Sequence, residues 1–137
     1  MSKLADPIVE DVSRWPGLHA RDEDYDAVGW TLGPGSIGHV HVGTGVVDVL
    51  FTRAVRDQLL REKLAERHRY QPNSGWVTYR IRADADRERA RWLLRLSYLR
   101  RVVRRTRHGL DADMRRRAET ELSELELSEE LRRLIES

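Results

Sequence analysis

His39 and His41 stand two residues apart in "IGHVHVG", residues 37 to 43. On a β-strand, side chains at i and i+2 share a face, so the two imidazoles point the same way. Neutral imidazole exchanges protons near pH 7 and ligates transition metals, so a facing pair can do acid–base or metal chemistry. As a metal centre it needs a third ligand, for which Asp48 or His68 qualifies. A cupin-type centre is excluded, because Gly45 and Val46 stand where that pattern puts its glutamate. The bland alternative is a polar pair on a solvated strand face.

The elements that must position these residues follow from periodicity. "DPIVEDVSRWPG" spaces Ile8, Val9, Val12 and Trp15 along one side of a short helix that opens at Pro7 and stops at Pro16-Gly17. "LHARDEDYDA" is polar and predicts a loop. "AVGWTLGPGS" predicts a strand and a Gly-Pro-Gly turn, "IGHVHVG" its hairpin partner, and "VVDVLF" a third strand. Thr52 caps a helix whose stripe is Val55, Leu59, Leu60 and Leu64. "ERHRYQPNSG" predicts a strand running into a turn at residues 72–75, and "WVTYRI" is the most strand-like segment of all. Asp84 or Asp86 then caps a long helix with Trp92, Leu96, Leu99 and Val103 at helical spacing. Two further helical stripes follow, Leu110, Met114, Ala118, Leu122 and Leu125, then Leu127, Leu131, Leu134 and Ile135 behind the cap Ser128.

The order α-β-β-β-α-β-β-α with hairpin connections predicts an α+β two-layer sandwich, an antiparallel sheet with helices against one face. Residues 1–105 form that domain and residues 106–137 a helical C-terminal extension. Val40 and Val42 are better core residues than the histidines, so Ile37, His39 and His41 should face away from the helices. In "WVTYRI" the same alternation places Val77, Tyr79 and Ile81 in the core and Trp76, Thr78 and Arg80 on the open side. An indole beside two imidazoles makes an aromatic-walled binding surface, and Arg80 would attract an anionic substrate.

Composition narrows the classes. The 137 residues suit one domain; there is no cysteine, hence no disulfide, thiolate metal site or cysteine nucleophile. No G-x-S-x-G elbow or phosphate loop occurs, and "GPGSIG" precedes a strand, where it is a turn. The richest apolar run is broken by Asp48, so no membrane span is expected, and the acidic N-terminal stretch is unlike a secretory signal. A cytoplasmic protein is the simplest reading. Residues 95–117 hold nine arginines and residues 118–137 seven glutamates, although the net charge is only +2. These blocks can neutralise each other within a chain or between two copies. The run "RRVVRRTRH" invites nucleic acid, but Val102 and Val103 interrupt it and no base-reading motif accompanies it, so this is the weaker reading.

Two stretches, "IGHVHVGTGVVDVLFTRAVRDQLL" and "RHRYQPNSGWVTYRIRADADRERARWLLRLSYLR", together resemble the bacterial and archaeal luciferase-like domain family, over roughly residues 5–103. "SGWVTYRI" followed by "LLRLSY" carries most of that resemblance. It implies kinship with fungal luciferases, which oxidise a hispidin-type luciferin with molecular oxygen and without a bound cofactor. The fungal enzymes carry an N-terminal membrane segment that this sequence does not show. The signature gathers His39, His41, Asp48, His68, Trp76 and Tyr79 on strands of one sheet. A more distant likeness, in element order and the tryptophan-led strand before a helix carrying "SY", is to YjbR-like proteins.

The expectation is therefore a small-molecule-binding protein or cofactor-independent oxygenase using the open sheet face. His39 and His41 would be catalytic, and Trp76, Arg80, Asp48 and His68 ligand-binding, with no metal and no cofactor. The alternative is a non-catalytic interaction module, with residues 106–137 as a self-association element.

Overall fold

The computed structural model describes residues 3–105 and 111–137. Helix α1 (Asp6–Val12) leads into strands β1 (Leu18–Glu23), β2 (Ala27–Leu32), β3 (Gly35–His41) and β4 (Val46–Leu50). Helix α2 (Arg53–Arg61), β5 (Glu66–Arg67) and β6 (Trp76–Arg80) follow, then a 3-10 turn (Asp84–Asp86) and helices α3 (Arg87–Arg105), α4 (Ala112–Glu124) and α5 (Glu129–Glu136). The six strands form one antiparallel sheet in the order β1-β2-β3-β4-β6-β5. The class is α+β, as the alternation and hairpin turns predict.

One strand escapes that reading. The segment expected as a polar loop forms β1, paired with β2 from Leu18↔Leu32 to Glu23↔Ala27. It is an edge strand with five of its six residues exposed, so it buries too little to show an apolar alternation.

The core lies between the sheet and the helices. Val28 and Trp30 of β2, Val40 of β3, Val47 and Val49 of β4 and Val77 of β6 share one face, in cross-strand register. Leu93, Leu94, Leu96 and Leu99 of α3 belong to the same cluster. Contact is close at Gly38, where a Cβ would stand 2.8 Å from Leu94 Cδ2 and 2.6 Å from the Asp48 carbonyl oxygen. A glycine is needed there to let helix and strand approach.

Ile37 departs from the expected face. Trp30 pairs with Gly38 but Thr31 pairs with Ser36, leaving Ile37 as the extra residue of a β-bulge. The bulge resets the alternation, and Ile37 sits fully buried in the core instead of beside the histidines. Ser97 of α3 fastens this irregularity: its hydroxyl lies 2.7 Å from the Leu50 carbonyl and 3.2 Å from that of Ile37.

Caps follow the sequence closely. The Thr52 and Ser128 hydroxyls accept from the N–H of Val55 and Leu131. Asp86 caps from inside its turn, its carboxylate accepting from the N–H of Arg82 and Ala83. The C-terminal helices join the main core: Ala118, Leu122, Leu131 and Ile135 are buried within its cluster. Arg95 of α3 and Glu121 of α4 form a two-bonded ion pair at 2.5 and 2.6 Å, so the basic and acidic blocks meet within the chain. Leu110 of the predicted stripe, and Thr106 to His108 of the arginine run, lie outside the described residues. Among the described residues, no helix is long and apolar enough to cross a membrane.

Candidate functional site

The sheet face turned away from α3 carries a row of directly opposed residues, Arg21, Gly29, His39, Asp48, Thr78 and Glu66, one from each strand. Strand alternation therefore places both histidines on the outer face, as Val40 between them requires. Asp48 lies at the centre of this row. It is 4% exposed, although it faces away from the apolar core.

Three imidazoles surround that carboxylate. His39 Nε2 donates to Asp48 Oδ2 at 2.9 Å, an ionised carboxylate being acceptor only. His41 Nε2 stands 3.4 Å from the same oxygen, and His68 Nε2 3.7 Å from Oδ1. The Thr78 hydroxyl donates to Oδ1 at 2.7 Å. The two carboxylate oxygens thus have separate surroundings: Oδ2 faces His39 and His41, while Oδ1 faces Thr78 and His68.

Burial pushes the Asp48 carboxyl pKa up, but the hydrogen bonds from His39 and Thr78 lead the opposing effects and outweigh it. The net position is below the ordinary aspartate value, and the group is a carboxylate at neutral pH.

His68 follows the two-residue strand β5, and its own loop fixes its proton. The N–H groups of Tyr70 and Gln71 donate to Nδ1 at 3.1 and 3.0 Å. Nδ1 is therefore unprotonated, Nε2 carries the hydrogen, and His68 presents a donor to the site. Trp76 closes the cluster on that side, its ring centre 5.1 Å from that of His39 and 6.3 Å from that of His68. His39 and His41 meet edge to face at 5.2 Å.

Of the residues predicted to form the site, His39, His41, Asp48, His68 and Trp76 converge. Arg80 shares their face but stands one pleat away, opposite Val46, and is exposed without an ion pair among the described residues. Tyr79 points to the core side, opposite Val47, with its hydroxyl 3.4 Å from Asp86. Two contributors were not predicted. Alternation puts Thr78 on the right face without a role; its position opposite Asp48 depends on strand register, which the sequence does not state. Glu23 lies on the strand expected as a loop, and its side chain covers Gly29, filling the space a Cβ would take.

The cluster is partly open to solvent, the His39, His41 and His68 side chains being 23%, 32% and 12% exposed. Cavities of about 360 and 550 Å³ lie elsewhere, the first between α3 and α4 around Tyr98 and Met114, the second beside Trp92 and Leu125. Chemically, the cluster offers a buried carboxylate, two imidazoles it orients, a fixed N–H donor and an indole wall.

Residues 34–97 match the family model described as Luciferase domain, a narrower span than the expected 5–103. No curated protein and no solved structure matches the chain, and nothing here supports the YjbR-like likeness. The matched segment runs from the turn before β3 to Ser97 and holds all the converging side chains. Over that segment the chain is similar to a luciferase domain, and the same segment bears the Asp48 cluster.

Proposed function

We propose that the domain binds a planar aromatic small molecule on the outer sheet face and that His39 and His41 polarise it or move its proton. Asp48 is the positioning residue that fixes the imidazoles, as buried carboxylates do for catalytic histidines. Trp76 supplies the stacking wall, and Arg80, free at the margin, draws an anionic group toward it. The family suggests the reaction class, oxidation of an electron-rich aromatic substrate by molecular oxygen.

One observation carries this reading: a nearly sealed carboxylate on the face that does not pack the core, with three imidazoles and an indole around it. The apolar core does not need that group, and charged groups held out of water in this way concentrate at working sites.

The test is a fluorescence titration with a hispidin-type pyrone, alongside oxygen uptake. The wild-type chain should show saturable quenching that is lost in Trp76→Phe, and uptake that is lost in His39→Ala/His41→Ala. Equal quenching in Trp76→Phe would place any binding elsewhere and overturn the reading.

The partial exposure of His39 and His41 on an outer sheet face favours a second reading, a partner-docking face without chemistry. Self-association or pull-down that is lost in the histidine variant, with no pyrone binding in the wild type, would decide for it.

A further inference from the structure

We infer that His39 Nε2, His41 Nε2 and Asp48 Oδ2 form a binding site for one divalent transition-metal ion. The inference deepens the proposed site by naming its cofactor, and it departs from the cofactor-free chemistry that the resemblance implies.

Geometry is the first support. One ligand atom from each of His39, His41 and Asp48 lies within 4.8 Å of the other two. Donors that hold an ion at about 2.0–2.2 Å with angles near 90–110° are roughly 2.9–3.5 Å apart. The two separations to Asp48 Oδ2, 2.9 Å from His39 and 3.4 Å from His41, are edges of that size. Both imidazoles direct the same nitrogen at one oxygen, and on ligation the hydrogen that His39 shares with Asp48 moves from Nε2 to Nδ1.

The outer contacts are the second. A ligating carboxylate is ordinarily steadied through its other oxygen. Here Thr78 donates to Oδ1, which leaves Oδ2 to the histidines. Strand pairing presets the arrangement, since His39 and Thr78 sit directly opposite Asp48 on its two neighbours. No loop has to close to bring the donors together.

Third, the structure separates ligands from a bystander. His68 is also near Asp48, but its Nδ1 receives two backbone N–H groups. Ligation through Nε2 would need an imidazolate, so His68 is a hydrogen-bond donor beside the ion. Two imidazoles and one carboxylate suit iron, cobalt or zinc in the divalent state, and leave coordination positions open. His41 is the most exposed of the three, at 32%, so the open positions lie on its solvent side, where an oxygen atom of a ligand can be polarised.

The experiment is a cobalt(II) titration of the full chain after chelator treatment, read by visible d–d absorption and by thermal shift. One equivalent should bind with visible bands and a raised melting temperature. His39→Ala and Asp48→Asn should each weaken binding by more than about 100-fold, and Thr78→Val by about 10-fold, the usual cost of losing an outer-shell contact. His68→Gln should keep one equivalent. Metal-free melting curves check that each variant folds. No bands and no thermal shift in the wild type would overturn the assignment. So would unchanged binding in His39→Ala/His41→Ala, which would reveal an adventitious imidazole, or loss of the equivalent in His68→Gln. The pyrone titration, repeated with chelator present, separates the two proposals. Quenching without metal binding leaves the acid–base site standing and removes the ion. One bound equivalent without quenching keeps the ion and removes the aromatic ligand.

Discussion

Ser97 of α3 hydrogen bonds to the carbonyl oxygen of Leu50 at the end of β4, with 2.7 Å between the two oxygens. The same hydroxyl reaches Ile37 at the bulge of β3, so one buried side chain ties the helix to both strands that carry the candidate site. Ser97→Ala leaves the Ile37 and Leu50 carbonyls short of a partner in the core. The expected loss is about 1–3 kcal/mol of stability, the range for an unsatisfied buried polar group. Urea denaturation measures it, and a change below about 0.5 kcal/mol would show that water takes the place of the hydroxyl.

The face assignment has its own test. His39→Ala/His41→Ala removes two side chains that pack no helix, and Asp48 keeps its bond from Thr78. Stability should stay within about 1 kcal/mol of the wild type, whereas Val47→Ala, one residue from Asp48 and fully buried, should cost about 2 kcal/mol. Thermal melts of the two variants side by side compare the faces directly. A double variant less stable than Val47→Ala would mean that the imidazoles hold the sheet together.

Much of this was legible because alternation is a short-range signal. Val40 between two histidines fixed the direction of β3 near the site, and "WVTYRI" fixed β6 in the same way. Ile37 shows where the signal ends: one extra residue reverses the parity of everything before it, and nothing in "GSIGH" marks the insertion. β1 was invisible for another reason. Its exposed edge demands no apolar residues, so pairing with β2 alone makes "LHARDE" a strand. The meeting of Asp48 with Thr78 depends on register between strands thirty residues apart, which arises from packing and not from local pattern.

The C-terminal helices are expected to be indispensable to the fold. Ala118, Leu122, Leu131 and Ile135 are buried in the main cluster, and Ser128 bonds to Glu62 at the end of α2. Truncation after residue 105 uncovers the surfaces these residues fill. Three large aliphatic side chains at about 1.5–3 kcal/mol each approach the whole stability of an ordinary domain. The truncated chain should lose its cooperative melt; retention of a sharp transition would identify residues 106–137 as a separate unit.

Arg100 gives a prediction of opposite sign. Its Nε is buried without a hydrogen-bond partner among the described residues. Burial, aided by the charges of Arg104 and Arg101, pushes its guanidinium down to about 10. A base whose proton is held less tightly in the folded chain opposes folding while it stays charged. The penalty is therefore complete at neutral pH and is relieved as pH rises through about 10 toward the ordinary guanidinium value. Arg100→Met keeps the aliphatic stem and removes the buried charge, and should stabilise the chain by about 1 kcal/mol at neutral pH. The advantage should shrink as the solution is made alkaline. Denaturation of both proteins across that range measures the difference; a gain that stays constant with pH would assign it to packing, and a loss would mean that the guanidinium has a partner the folded chain depends on.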